Sequence, residues 1–72
     1  MSEKLTKGQW LVGIDFNPSN NTDVRNIKTM ASDFIDFIDK HGKDERLTSI
    51  AITTIEEAAM WAVKSATKKP MK

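Results

Sequence analysis

The sequence predicts an all-α chain: a two-helix antiparallel hairpin with a short N-terminal arm, assembled as a homo-oligomer. Three observations carry this reading. From Thr22 to His41, apolar residues stand at Val24, Ile27, Ala31, Phe34 and Ile38, spaced 3, 4, 3 and 4 along one helical stripe. Asp44 to Thr67 then runs without glycine or proline. Within that run, Thr53–Lys64 puts apolar side chains on nearly every side of a helix. Such a helix lies deep in a large core or against copies of itself, and 72 residues supply no large core.

Taken in order, residues 1–9 are polar, terminal and interrupted by Gly8, and are expected to be disordered. The stretch from Met1 to Gly8 offers no apolar core for a signal peptide. Residues 10–21 form the arm, with Trp10-Leu11-Val12-Gly13-Ile14-Asp15-Phe16 leading into Asn17-Pro18-Ser19-Asn20-Asn21. Pro18 biases Asn17 toward extended backbone, and the Ser/Asn cluster is turn and N-cap chemistry.

Residues 22–41 form the first long helix. Asn21 or Thr22 caps it, Asp23 favours its positive end, and Lys40 and His41 suit its negative end. Met30, Ile35 and Phe37 widen its apolar stripe beyond what a surface helix needs. Gly42 is expected to end it as a left-handed residue. Residues 44–67 form the second helix, with Asp44 as N-cap and Pro70 marking the end. Thr48–Ile55, built from Thr, Ser, Ile and Ala, has the β-branching of a strand. Helix is preferred because no turn separates it from the Ala-rich run, and a lone strand would have no partner. Helices of ~20 and ~23 residues, ~30–35 Å long, joined by His41-Gly42-Lys43, make a hairpin. One helix pair buries only its mutual faces, so the remaining apolar surface calls for symmetric copies.

Composition excludes several classes. There is no cysteine, hence no disulfide staple and no thiolate metal site. A net charge of +1 gives little drive toward nucleic acid, although Lys64, Lys68, Lys69 and Lys72 cluster at the end. No apolar run reaches the ~20 residues of a membrane span, so a soluble, cytosolic protein is expected. His41, the only histidine, reads as a helix-end residue rather than a general base. Asp33, Asp36 and Asp39 read as a solvated acidic face, since hard-cation sites draw on looped backbone. Glu56-Glu57 is at most half of a carboxylate pair. No enzyme, cofactor or metal is expected.

The place where a ligand would bind is the junction of arm and first helix. Trp10 and Phe16 offer aromatic faces on which a base stacks. Arg25 and Lys28 follow within two helical turns and pair with phosphate, and free N–H groups at the helix start add anion affinity. The alternative is that Trp10 and Phe16 only staple the arm to the hairpin. Trp61 reads in the same two ways.

Phe16-Asn17-Pro18-Ser19, Val24-x-x-Ile27-Lys28 and Ile55-Glu56-Glu57-Ala58-x-Met60-Trp61-Ala62-Val63-Lys64 together resemble a small helical-hairpin family of phages and prophages. It includes the anti-CBASS cyclic-oligonucleotide sponges, and its hairpin recurs in one class of anti-Thoeris sponge. The resemblance covers residues 14–68. It implies a hexamer of hairpins, in the host cytoplasm, that sequesters cyclic dinucleotides such as 3′,3′-cyclic GMP-AMP without cleaving them. It also implies that Lys28 contacts phosphate and that Phe16, or else Trp10, stacks on a base, with Arg25 as a further cation. Some members take cyclic trinucleotides through an arginine near the start of the second helix. The matching stretch here, Ser49–Thr53, has none, and Arg46 is the nearby arginine. The rival readings are a structural or protein-interaction hairpin without nucleotide ligand, and a nucleic-acid regulator using the lysine tail. No membrane or DNA partner is expected.

Overall fold

The computed structural model describes residues 4–71. Three helices follow in order: α1 Lys7–Val12, α2 Thr22–His41 and α3 Glu45–Thr67, with no strand among the described residues. The two long helices begin where cap chemistry places them. Asn21 Oδ1 accepts from the Val24 N–H at 3.0 Å, and Asp44 Oδ1 accepts from the Leu47 N–H at 2.8 Å. Asp23 occupies the first turn of α2, and Lys40 and His41 its last.

The strand-like stretch Thr48–Ile55 lies wholly inside α3. One of its hydroxyls bonds back to the helix, as Thr54 Oγ1 donates to the Ile50 carbonyl at 2.8 Å. Between the long helices, Gly42 is not left-handed as expected: its φ is −67° and its ψ 136°. The position is tight instead. A Cβ there would collide with the Thr48 side chain and lie 2.8 Å from the Ile38 carbonyl oxygen.

Ile38 shares a recess with Leu47, Thr48 and Ala51, while Lys28 shares one with Glu56, Ala59 and Val63. Rising numbers on α3 therefore meet falling numbers on α2, which is an antiparallel hairpin. The chain spans 46 × 34 × 12 Å. Two stacked helical layers would need roughly 13–15 Å, from their axial spacing and Cα radius. A thickness of 12 Å falls just short of that, against roughly 5 Å for the Cα atoms of a single layer, so the chain is a thin slab with little interior.

One difference from expectation lies at the start. Residues 1–3 of the segment expected to be disordered lie outside the described residues, but Lys7–Val12 form a helix. Thr6 and Gln9 make a capping box: Thr6 Oγ1 accepts from the Gln9 N–H at 3.1 Å, and Gln9 Oε1 from the Thr6 N–H at 3.0 Å. Gly13, at φ 65°, ends α1. The Ile14 N–H bonds the Gln9 carbonyl at 3.0 Å and the Gly13 N–H bonds that of Trp10 at 3.2 Å, a Schellman closure.

Long-range contacts hold α1 in place. The Gly8 N–H donates to Asp36 Oδ1 at 2.7 Å, and Lys7 pairs with Asp39 at 3.2 Å. Gly8 is buried so close to α2 that a Cβ would strike the Ser32 carbonyl. Half-buried Asp36 is therefore a docking group, while Asp33 and Asp39 lie on the exposed face as expected, Asp39 also pairing with Lys7.

The buried line of α2 also differs from the apolar stripe. Val24, Lys28, Ser32 and Ile35 are buried, Ile27, Ala31 and Ile38 are half-buried, and Phe34 is exposed. Docking of α1 and the arm on one flank of α2, with α3 on the other, turns the wedge between them onto two polar residues. Both are satisfied, Ser32 Oγ by donating to the Thr29 carbonyl at 3.0 Å.

Candidate functional site

The arm–α2 junction is built on backbone turns. Asn17 and Asn21 bond reciprocally: Asn17 Nδ2 donates to the Asn21 carbonyl at 2.8 Å, and Asn17 Oδ1 accepts from the Asn21 N–H at 3.0 Å. Asn20 sits left-handed at φ 51°, a conformation Asn tolerates better than most residues. This knot reverses the chain directly in front of α2. The preceding segment, Gly13 to Phe16, lies across Lys28.

Lys28 is the centre of the site. Only 8% of it is exposed, and its Nζ donates to the Gly13 carbonyl at 2.9 Å and the Phe16 carbonyl at 2.5 Å. The same Nζ stands 5.4 Å from the centroid of the Phe16 ring, within cation–π range. No carboxylate lies within 4.0 Å of it, although Glu56 borders the same groove: the one ion pair among the described residues is Lys7–Asp39. Its hydrogen bonds within the chain go to neutral carbonyls and not to a carboxylate. Burying a charge in this way is costly unless an anion completes the site.

Of the residues singled out from sequence, Phe16 and Lys28 are brought together. Phe16 is 72% exposed, with its ring turned outward from a backbone that is tied down at both ends. Its N–H bonds the Gly13 carbonyl at 2.9 Å, and its carbonyl accepts from Lys28. Trp10 is 71% exposed on α1 and lines neither recess beside the arm. Arg25 is exposed and borders a polar recess of about 230 Å³ with Asp15, Asn17, Asn20 and Thr29. Lys28 borders a different, largely apolar groove of about 210 Å³, with Leu11, Val12, Glu56, Ala59, Met60 and Val63. The arm thus separates the two cations.

Glu56 on the floor of that groove is a residue that sequence reasoning did not place at the site. Its helical spacing to Ala59, Met60 and Val63 was the signal, since all four fall on one side of α3. Away from this junction, Lys64 Nζ stands 5.2 Å from the centroid of the Trp61 ring, so that pair is occupied with itself on α3. Among the described residues, no group of three or more His, Asp or Glu gathers to hold a metal ion, and no helix is long and apolar enough to cross a membrane.

Residues 11–67 match the family model of the Acb2/Tad1 hairpin domain. The chain belongs to the Acb2/Tad1 hairpin family. That is the family of the anti-CBASS and anti-Thoeris sponges, and membership is consistent with a sponge role. No curated protein and no solved structure matches the chain. The stretch matched to the Acb2/Tad1 hairpin takes in Phe16, Arg25, Lys28 and both long helices. Trp10 falls just outside it, which separates the two aromatic candidates in the same direction as the geometry does.

Proposed function

We propose that this protein is a sponge for cyclic dinucleotides such as 3′,3′-cyclic GMP-AMP, binding them intact in the host cytoplasm and so keeping CBASS effectors from being activated. The observation that carries the reading is the buried ammonium of Lys28, in no ion pair, beneath the exposed ring of Phe16. A cyclic dinucleotide is a dianion with two planar aromatic bases. An aromatic face and a desolvated cation side by side are complementary to one base and one phosphate. Arg25, across the arm, is the second cation.

Size argues that the site is shared. The recesses beside the arm measure about 210 and 230 Å³, below the roughly 300–1,000 Å³ of pockets that enclose a drug-sized ligand. A pocket closed between neighbouring copies supplies the missing walls. The thin slab, with Phe34, Phe37, Leu47, Ile50 and Trp61 exposed on it, supplies the apolar surface for a hexamer. Sequestration needs no catalytic group, so the reading assigns no enzyme activity.

A second reading, a hairpin that docks onto a different protein, draws on the same exposed apolar residues. The test is calorimetric titration with a panel of cyclic di- and trinucleotides, followed by recovery of the ligand after denaturation. The sponge reading expects saturable binding and intact ligand returned in stoichiometric yield. A linear product would make the protein a phosphodiesterase, and silence across the panel would favour the protein-docking reading.

A further inference from the structure

The geometry points to a second role for Lys28: it is a positioning residue that clamps the arm and presents the Phe16 ring, before any ligand arrives. A lysine ammonium carries three donors. Two of them are spent on the Gly13 and Phe16 carbonyls, three residues apart in the same turn. Bonds from a charged donor are roughly twice as strong as neutral ones. The segment they close has few other ties. Asp15 and Phe16 are exposed. Beyond the Schellman bonds of Gly13 and Ile14 back to α1, the contacts that settle the turn are the Phe16 N–H to the Gly13 carbonyl and these two lysine bonds.

Gly13 makes the clamp possible. Its left-handed backbone ends α1 and turns its carbonyl toward α2, and a Cβ there would lie 3.9 Å from Lys28 Nζ. The ring of Phe16 then stands over the same ammonium, so one group fixes both the backbone and the face of the aromatic.

A consequence follows for the ligand, and it rests on the proposed function. With two donors committed, Lys28 has one N–H for a phosphate oxygen. It holds the arm and the anion at once, and a phosphate that took a second donor would have to release a carbonyl and with it Phe16. Charge not neutralised by that single bond falls to Arg25 or to a neighbouring copy.

The clamp is testable without ligand. In Lys28→Met, which keeps the stem and loses the ammonium, amide hydrogen exchange at Ile14 and Phe16 should accelerate on the order of tenfold, with α2 and α3 amides unchanged. Unchanged protection at Phe16 would overturn the clamp. Since the chain has no cysteine, Lys28→Cys adds a control that also covers a variant that folds poorly. Alkylation to the S-aminoethyl form, an ammonium of near-lysine length, should restore protection, and S-propyl alkylation should not. Equal behaviour of the two forms would also overturn it. If the clamp holds and no cyclic dinucleotide binds, the sponge reading fails alone. If the parent protein binds cyclic dinucleotide while Phe16 protection is unchanged in Lys28→Met, the clamp fails alone.

Discussion

The two flanks of α2 are built in opposite ways. On the flank that receives α1 and the arm, polar groups are consumed within the chain: Gly8 on Asp36, Lys7 on Asp39, Lys28 on two carbonyls, Asn17 on Asn21. On the outer faces of the hairpin, the large apolar residues Met30, Phe34, Phe37, Leu47, Ile50, Met60 and Trp61 are left exposed. Directional bonds can fix a short segment in one place, but they contribute only about 0.5–1.5 kcal/mol each. Burying a large apolar side chain stabilises by more, about 1.5–3 kcal/mol, and here the chain leaves many of them uncovered. The arm is therefore finished by the chain itself and the hairpin is not. A site at the arm is ordered locally, while its enclosure depends on whatever covers the hairpin.

The comparison breaks most severely at Ile35, whose side chain is fully buried (0% exposed) where the hairpin is closed. Ile35→Ala should cost about 2–5 kcal/mol. That approaches the whole of the ~3–5 kcal/mol that a core of this size supplies. Loss of the cooperative melting transition, followed by helical circular dichroism, is the expected outcome. A melting point within a few degrees of the parent would show that the core lies elsewhere.

Trp61, 60% exposed on α3, tests the outer face. Trp61→Asp should dissociate the proposed assembly and lower helicity with it, as read by sedimentation and circular dichroism together. A folded monomer would mean that the hairpin needs no cover. A particle of unchanged size would take Trp61 out of the interface.

Gly8→Ala tests the inner flank. A methyl group against the Ser32 carbonyl, and 2.8 Å from Asp36 Oδ1, cannot be accommodated without moving α1. A cost of about 1–3 kcal/mol is expected, visible as loss of exchange protection at Gln9 to Val12 while α3 keeps its own. The smallest effect is Thr6→Ala, which removes one side of the capping box for about 0.5–2 kcal/mol. It should fray α1 and leave the melting of the hairpin nearly unmoved.

The same contrast between local bonds and distant packing explains what was legible in the sequence. The long helices were readable from local chemistry, because Asn21, Asp44, Asp23, Lys40 and His41 act on backbone within one turn of themselves. Helix α1 had local signals too, Thr6-x-x-Gln9 and Gly13, but a six-residue helix is too short to stand on them. What holds it is a carboxylate 28 residues away, at Asp36, and the absence of a side chain at Gly8. Neither is visible as periodicity. Lys28 was picked out for its charge and not for its burial, since a pattern reading sends lysine to solvent. Phe16 with Lys28, or else Trp10, was implied by the family resemblance, whereas the arm lying between Lys28 and Arg25 was not.

The central claim is that the buried ammonium of Lys28, under the Phe16 ring, is the anion-binding centre. The most direct measurement follows the 15N resonance of Lys28 Nζ while 3′,3′-cyclic GMP-AMP is titrated to saturation. The account predicts a protected Nζ signal in the free protein that shifts in step with the fraction of ligand bound. A ligand that binds while this resonance stays unmoved would contradict it.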